Sequence, residues 1–313
     1  MNPEEHRIVQ ERPTSTETYA RLRPHRIAKG ESCPMQKDRI ELLGCPIDRL
    51  TMEETVARCI EWIRRERQPH LLCGANAGLI TAMQTDTALK QAICGADLVQ
   101  PDGMAVVWAS RLLGMAVPEK VSGVDLMDRL LVAASAHCLR VFFLGAREEV
   151  VRRLAEVSHE RYPGGVVAGF QNGYFPKHEQ PDVICKVRDS RADMLFVGMP
   201  TPFKEAWCHE NKEALGVPVM LGVGGSFDVH AGFIRRAPRW MQMRGLEWSW
   251  RLLMEPRKMW KRYLLGNSRF ILMVLGALIG GTTRGKPRGT KSGQQDVGKA
   301  PACERQHTDS PCP

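Results

Sequence analysis

The feature that most limits what this chain can fold into is a regular alternation of short apolar runs with longer amphipathic stretches. Residues 70–74, 97–100, 140–145, 165–170, 194–198 and 218–222 are apolar runs of four to six residues. Runs of that length suit buried strands rather than helices. The stretches between them carry apolar residues at helical spacing, as Val56, Ile60 and Ile63 do. Thr51-Met-Glu-Glu54 reads as a capping box opening the first of these helices, which should continue to about Arg67. Further helices are expected over 77–94, from the turn 101–103 to about 114, and over 125–137 with Asp125 as its cap. Others are expected at 147–161, 178–190 and 202–215. Residues 41–44 read as a short strand followed by a turn at Pro46. Strands alternating with helices of this length predict an α/β fold, a parallel sheet with helices on both faces. In such sheets ligands sit beyond the carboxyl ends of the strands. The loops after Gly74, Gln100, Gly145, Gly198 and Gly222 should therefore share one face.

No Pro-, Gly- or Ser-rich linker divides the middle of the chain, so residues 38–232 are expected to form one core. With 43% hydrophobic and 25% charged residues, the composition is that of a globular protein. Residues 1–37 and 282–313 are polar or rich in Gly, Pro, Ser and Lys, and are expected to be a disordered lead-in and tail. The N-terminus has no apolar h-region, so no secretory signal is expected. The ten cysteines are scattered singly with no C-x-x-C pair. That pattern points to free thiols in a reducing compartment, not to disulfides or a zinc site.

Charge is concentrated. From Arg235 to Arg269 there are ten Lys or Arg against Glu247 and Glu255, a local net of +8 in a chain whose total is +9. Four of the seven tryptophans (Trp240, Trp248, Trp250 and Trp260) lie in the same segment. Pro256 should divide it into two short amphipathic helices. The run 270–281 that follows is apolar but, at twelve residues, too short to span a bilayer, which needs about 20. It reads as a packing helix or as a shallow membrane insertion. Basic and tryptophan-rich helices ahead of an apolar run describe an appendage, residues 233–281, lying on an anionic membrane surface. Nucleic acid is the rival partner, but it would not require the apolar run, so none is expected.

Asp102 is the sharpest candidate. It follows a buried strand directly and is fixed between Pro101 and Gly103. A carboxylate partly removed from water suits a general base; the other reading is a helix cap. Asn76 reads either as a donor to a ligand hydroxyl or as a turn residue. Residues 222–228 (GVGGSFD) read either as a phosphate-approaching loop or as a tight turn. The stretch is no G-x-G-x-x-G fingerprint. No Asp-x-Asp metal pair occurs anywhere, so an anionic leaving group would need Arg or Lys in place of a metal.

Taken in order, these segments resemble one family. They are 101–110 (PDGMAVVWAS), 123–125 (GVD), 141–146 (VFFLGA), 198–205 (GMPTPFKE), 236–241 (RAPRWM), 245–248 (GLEW) and 251–257 (RLLMEPR). Together they are similar to the WecG/TagA/CpsF family of bacterial glycosyltransferases over about residues 38–270. The resemblance implies a Rossmann-like core with a basic helical C-terminal appendage. It implies an inverting, metal-independent transfer from a UDP-sugar to a polyprenyl-diphosphate-linked acceptor in surface polysaccharide synthesis, at the cytoplasmic face of the inner membrane. It makes Asp102 the expected base and Asn76 a substrate contact. With the loop glycines it gives a substrate-binding set of Asn76, Gly103, Gly145, Gly198, Lys204, Gly222, Gly224, Arg251, Lys258 and Lys261, with no metal or cofactor. Self-association as a homo-oligomer is implied by the resemblance alone. Two positions depart from the family pattern. Gly74 stands where Thr is common, and Lys204 where Gln is common. The donor sugar is therefore left open among N-acetylmannosamine, its uronic acid and glucose. A membrane-peripheral nucleotide-binding protein without transferase activity is the reading from another class.

Overall fold

A computed structural model describes residues 38–254 and 256–280. The expectations for residues 1–37 and 282–313 fall outside the described residues. Six short strands form one sheet: β3 (His70–Ala75), β4 (Leu98–Pro101), β5 (Arg140–Gly145), β6 (Val166–Gln171), β7 (Met194–Gly198) and β8 (Val219–Gly222). Their order is β4-β3-β8-β7-β5-β6, and every pairing is parallel. All six carboxyl ends therefore lie along one edge.

Helices connect and cover the strands: α1 (Met52–Glu61, continued by a π turn at Trp62–Glu66), α2 (Ala77–Ala82), α3 (Thr87–Cys94), α4 (Met104–Leu112), α5 (Gly123–His137) and α6 (Glu148–Arg161). They are followed by α7 (Gln180–Asp189), α8 (Phe203–Leu215), α9 (Ser226–His230), α10 (Arg239–Met243), α11 (Glu247–Met254) and α12 (Pro256–Ile279). Alternate residues of each strand feed two separate cores. Leu71, Cys73, Val99, Leu195 and Met220 pack toward α2, α3, α4, α7, α8 and α12. Leu72, Leu98, Phe143, Phe196 and Leu221 pack toward α1, α5, α6 and α9. This is the two-sided burial that continuous apolar strands require. Of the seven free cysteines among the described residues, Cys45, Cys59, Cys73 and Cys208 are buried within it.

Three local expectations are corrected. Residues 39–48 form an antiparallel hairpin of β1 (Arg39–Leu42) and β2 (Cys45–Asp48), turning at Leu43 and Gly44 with φ 53° and 78°. Pro46 lies inside β2, not in a turn. Asp48 accepts the Val99 N–H at 2.7 Å and so ties this hairpin to the edge strand β4. The stretch 77–94 is two helices, because Asp86 accepts the Leu89 N–H at 2.9 Å and starts a second one. Ser122, not Asp125, caps α5; its hydroxyl accepts the Asp125 N–H at 3.3 Å. The capping box at Thr51 and Glu54 forms as expected.

Pro256 is the first residue of α12, where a missing N–H costs nothing. The apolar run continues this helix to Ile279. Phe270 and Val274 are buried in the α2-side core, while Ile271, Leu272, Leu275, Leu278 and Ile279 are exposed. The helix thus has one face on the core and one apolar face turned outward. Among the described residues no helix is long and apolar enough to cross a membrane.

Candidate active site

Three neighbouring strand ends bring the candidate residues together. Asp102 follows β4, Asn76 follows β3, and Gly222 to Gly224 end β8, in the order β4-β3-β8. The Asp102 N–H donates to Ala75 O at 2.8 Å, which locks the β3 and β4 loops to each other. Gly103 caps α4 through its backbone, with φ 114°, a conformation that strains any residue with a Cβ. Asp102 therefore does not cap the helix that follows it. Its half-buried carboxylate instead faces the backbone N–H of Gly123 at the start of α5, which favours the charged form.

The electrostatics around Asp102 are balanced between burial and cations. Burial is the largest influence and raises its pKa above the ordinary carboxylate value. Arg251 and Lys120 pull it back down, and Glu247 pushes it up. A proton acceptor poised above its normal range is what general-base chemistry near neutral pH requires. Lys120 had no place among the sequence-derived candidates. The available signal was a basic residue two positions before a helix cap at the carboxyl edge of the sheet.

Residues of the basic segment reach this edge through ion pairs. Glu247 of α11 accepts from Lys120 at 2.9 Å and lies 3.3 Å from Arg236. Arg236 in turn meets Asp125 of α5 at 2.7 Å. This partner holds Asp125 below its usual range against the effect of burial. Gly245, with φ 73°, lets the turn before α11 lie directly on Met104 and Trp108 of α4. Lys258 and Lys261 lie on α12, but their side chains are outside the described residues.

The remaining positions differ in surroundings. Asn76 caps α2, its Oδ1 accepting the Leu79 N–H at 3.0 Å. A Cβ on Gly103 would meet nothing within 4 Å, and one on Gly224 only Met199 O at 3.8 Å, so both backbones are open to approach. A Cβ on Gly145 would fall 2.5 Å from the Gly198 carbonyl carbon, and one on Gly198 2.4 Å from the Phe227 ring. Packing alone accounts for glycine at those two places. Lys204 is buried, ion-paired with Glu205 and hydrogen-bonded to Thr201, and its stem covers Gly222, where a Cβ would fall 3.0 Å from Lys204 Cε. Among the described residues no cluster of three or more His, Cys, Asp or Glu is placed to hold a metal.

Comparison with known proteins now adds to this geometry. Residues 40–284 match the glycosyl transferase WecG/TagA/CpsF family. The chain belongs to that family. It is 36% identical over 183 residues to a Bacillus spizizenii protein, covering 58% of this chain and 70% of the relative. A Staphylococcus aureus relative is 31% identical over 225 residues, 72% of this chain and 86% of its own. A Bacillus subtilis relative is 32% identical over 183 residues. All three are named N-acetylglucosaminyldiphosphoundecaprenol N-acetyl-beta-D-mannosaminyltransferase. This chain is thus a glycosyltransferase with the expected α/β core, and the bare nucleotide-binding alternative is set aside.

Proposed function

We propose that this glycosyltransferase moves N-acetylmannosamine, with inversion, from a UDP-sugar to a polyprenyl-diphosphate-linked sugar at a membrane surface. The observation that carries the reading is Asp102, a half-buried carboxylate with a raised pKa, standing at the strand-end edge under the influence of two cations, Arg251 and Lys120. In the proposed step an acceptor hydroxyl attacks the anomeric carbon and its proton passes to Asp102. The bond from that carbon to the UDP oxygen breaks, and the electron pair leaves on the diphosphate. Lys120 and Arg251 supply the positive charge that a departing diphosphate needs, the role a metal plays in other transferases. Lys258 and Lys261 would add to it from α12. The open backbones at Gly103 and Gly224, with Asn76 between them, suit the donor; Lys204 supports Gly222 from beneath.

Of the three donor types left open by the sequence, only N-acetylmannosamine has support in the names of the three relatives; glucose and the uronic acid have none there. The membrane part rests on the exposed apolar face of α12 and the exposed Trp240, Trp248 and Trp260, which suit an interfacial helix. The test is a screen of UDP-sugars with N-acetylglucosaminyl-diphosphate-polyprenol, read as UDP release. Turnover with UDP-N-acetylmannosamine above all others is expected. No release with any donor would refute the reading.

A further inference from the structure

Helix α4 starts just after Gly103 and has a surface unlike that of a helix facing water. Its exposed positions are Ala105, Trp108, Arg111 and Leu112. Residues three and four apart share a helix face, so Ala105, Trp108 and Leu112 form one outward ridge. Trp108 is 47% exposed and Leu112 64%. From Gly103 to Pro118 the sequence holds a single charge, Arg111, and no acid. By contrast α6 shows Glu148, Glu149, Arg152, Arg153 and Glu156 to solvent. The inner face of α4 packs into the core through Val106, Val107 and Ala109. Core packing therefore accounts for one side of this helix and leaves the ridge unexplained.

Its place in the fold says what covers it. Val106 and Val107 of α4 share one core with Phe270 and Val274 of α12. The ridge and the exposed Ile271, Leu272 and Leu275 of α12 thus lie over the same face of the sheet. Trp108 also adjoins the basic, tryptophan-rich segment. A Cβ on Gly245 would fall 3.3 Å from the Trp108 ring, and the neighbouring Arg244 stands 6.0 Å over the ring of Trp240. A surface of Trp, Leu and isolated Arg suits the boundary between acyl chains and anionic headgroups. A second copy of this chain suits it less, because self-pairing would set Arg111 against Arg111 with no acid on α4 to meet either. We propose that the α4 ridge is a second membrane contact, docking on an anionic phospholipid bilayer together with α12. A single helix can roll about its axis on a bilayer; two contacts over one face of the sheet resist rolling and fix how the protein sits. Because α4 begins beside Asp102, the bilayer then lies near the edge where a lipid-linked acceptor is met. The proposal rests on the membrane part of the proposed function and not on the identity of the sugar.

The test is flotation of the full chain with vesicles of equal parts phosphatidylglycerol and phosphatidylcholine, and with vesicles of phosphatidylcholine alone. Leu112→Ser should weaken partitioning to the anionic vesicles about five- to tenfold. Arg111→Gln should weaken it about fivefold there and leave binding to the neutral vesicles unchanged. Both residues are exposed, so the melting temperatures should stay close to that of the parent. Trp108→Phe should lose part of the tryptophan quenching that phosphatidylglycerol brominated along its acyl chains causes in the parent. Unchanged partitioning of Leu112→Ser and Arg111→Gln would refute the α4 contact. Weakened partitioning of Leu272→Ser with Leu275→Ser would then show that the membrane reading of α12 survives without it. A parent chain that floats with neither kind of vesicle would overturn both. Sedimentation velocity without lipid supplies the last arm. A parent oligomer that Leu112→Ser dissociates would make the ridge an interface between copies and overturn the proposal.

Discussion

Replacing Asp102 by Asn separates the two roles a carboxylate can have at this position. The side chains have nearly the same shape, and an Asn Oδ1 can still face the Gly123 N–H as Asp102 does now. What disappears is the charge and the capacity to take a proton. Because burial is the largest influence on Asp102 and raises its pKa, the ionised form is disfavoured in the folded chain relative to the unfolded one. The sign follows directly. The folded state keeps its proton to a higher pH than the unfolded chain, whose value is about 3.9. Stability is then fullest below that pH and declines as the pH rises through the folded value. Asp102→Asn should therefore match the parent near pH 4 and exceed it at pH 7 in chemical denaturation. Its activity should move the other way. Loss of a general base costs about 10²- to 10⁴-fold in kcat, equivalent to about 2.7–5.5 kcal/mol of barrier, with KM little changed. UDP-release kinetics and denaturation on one preparation read both effects. A variant with full turnover would remove Asp102 as the base. A variant less stable at pH 7 would mark a carboxylate whose negative charge the fold needs.

Lys120 and Arg251 both hold the Asp102 pKa down, so Lys120→Met or Arg251→Met should shift the acidic limb of the kcat/KM profile to higher pH. An unmoved limb would mean that Asp102 does not govern it. The two faces of α12 should separate cleanly. Leu272→Ser with Leu275→Ser, both exposed, should leave the melting temperature nearly unchanged while weakening co-sedimentation with anionic vesicles; Phe270→Ala, in the core, should cost about 3–5 kcal/mol of stability.

The architecture was legible because a parallel sheet buried on both faces writes itself as apolar runs, and the runs at 140–145 and 194–198 coincide with β5 and β7. Local chemistry was harder to read. Leu43-Gly44 turns a hairpin without the Asn-Gly or Asp-Gly signal that usually marks one, and Asp86 restarts a helix within a pattern that looked continuous. At the site, Asp102 stood out because a carboxylate after a buried strand is rare. Lys120 did not, since a lone lysine in a loop looks like any solvated charge. Only the fold, which sets it beside a carboxylate from β4 and a glutamate from α11, gives it a role. The choice between a packing helix and a membrane insertion for 270–281 could not be made from hydropathy, because opposite faces of one helix differ in their surroundings.

The ion pairs at the strand-end edge also bear on how α11 and the proposed chemistry are coupled. Glu247 faces Lys120 and Arg236 at once, so one carboxylate of α11 already engages one of the two cations that act on Asp102. Exposed or partly exposed pairs of this kind each contribute only about 0–1 kcal/mol, so the contact is weak enough to rearrange. A diphosphate entering between Lys120 and Arg251, as proposed, would compete with Glu247 for Lys120 and would neutralise both cations. Those are the charges that restrain the basicity of Asp102 in the free enzyme. Their engagement by the donor would weaken the main opposition to burial and make Asp102 a stronger base just when an acceptor proton has to be removed. Without the donor, the same cations hold the basicity of Asp102 down, and so leave it less able to activate a stray water. The coupling needs no large conformational change, only the exchange of one anionic partner for another around two fixed cations.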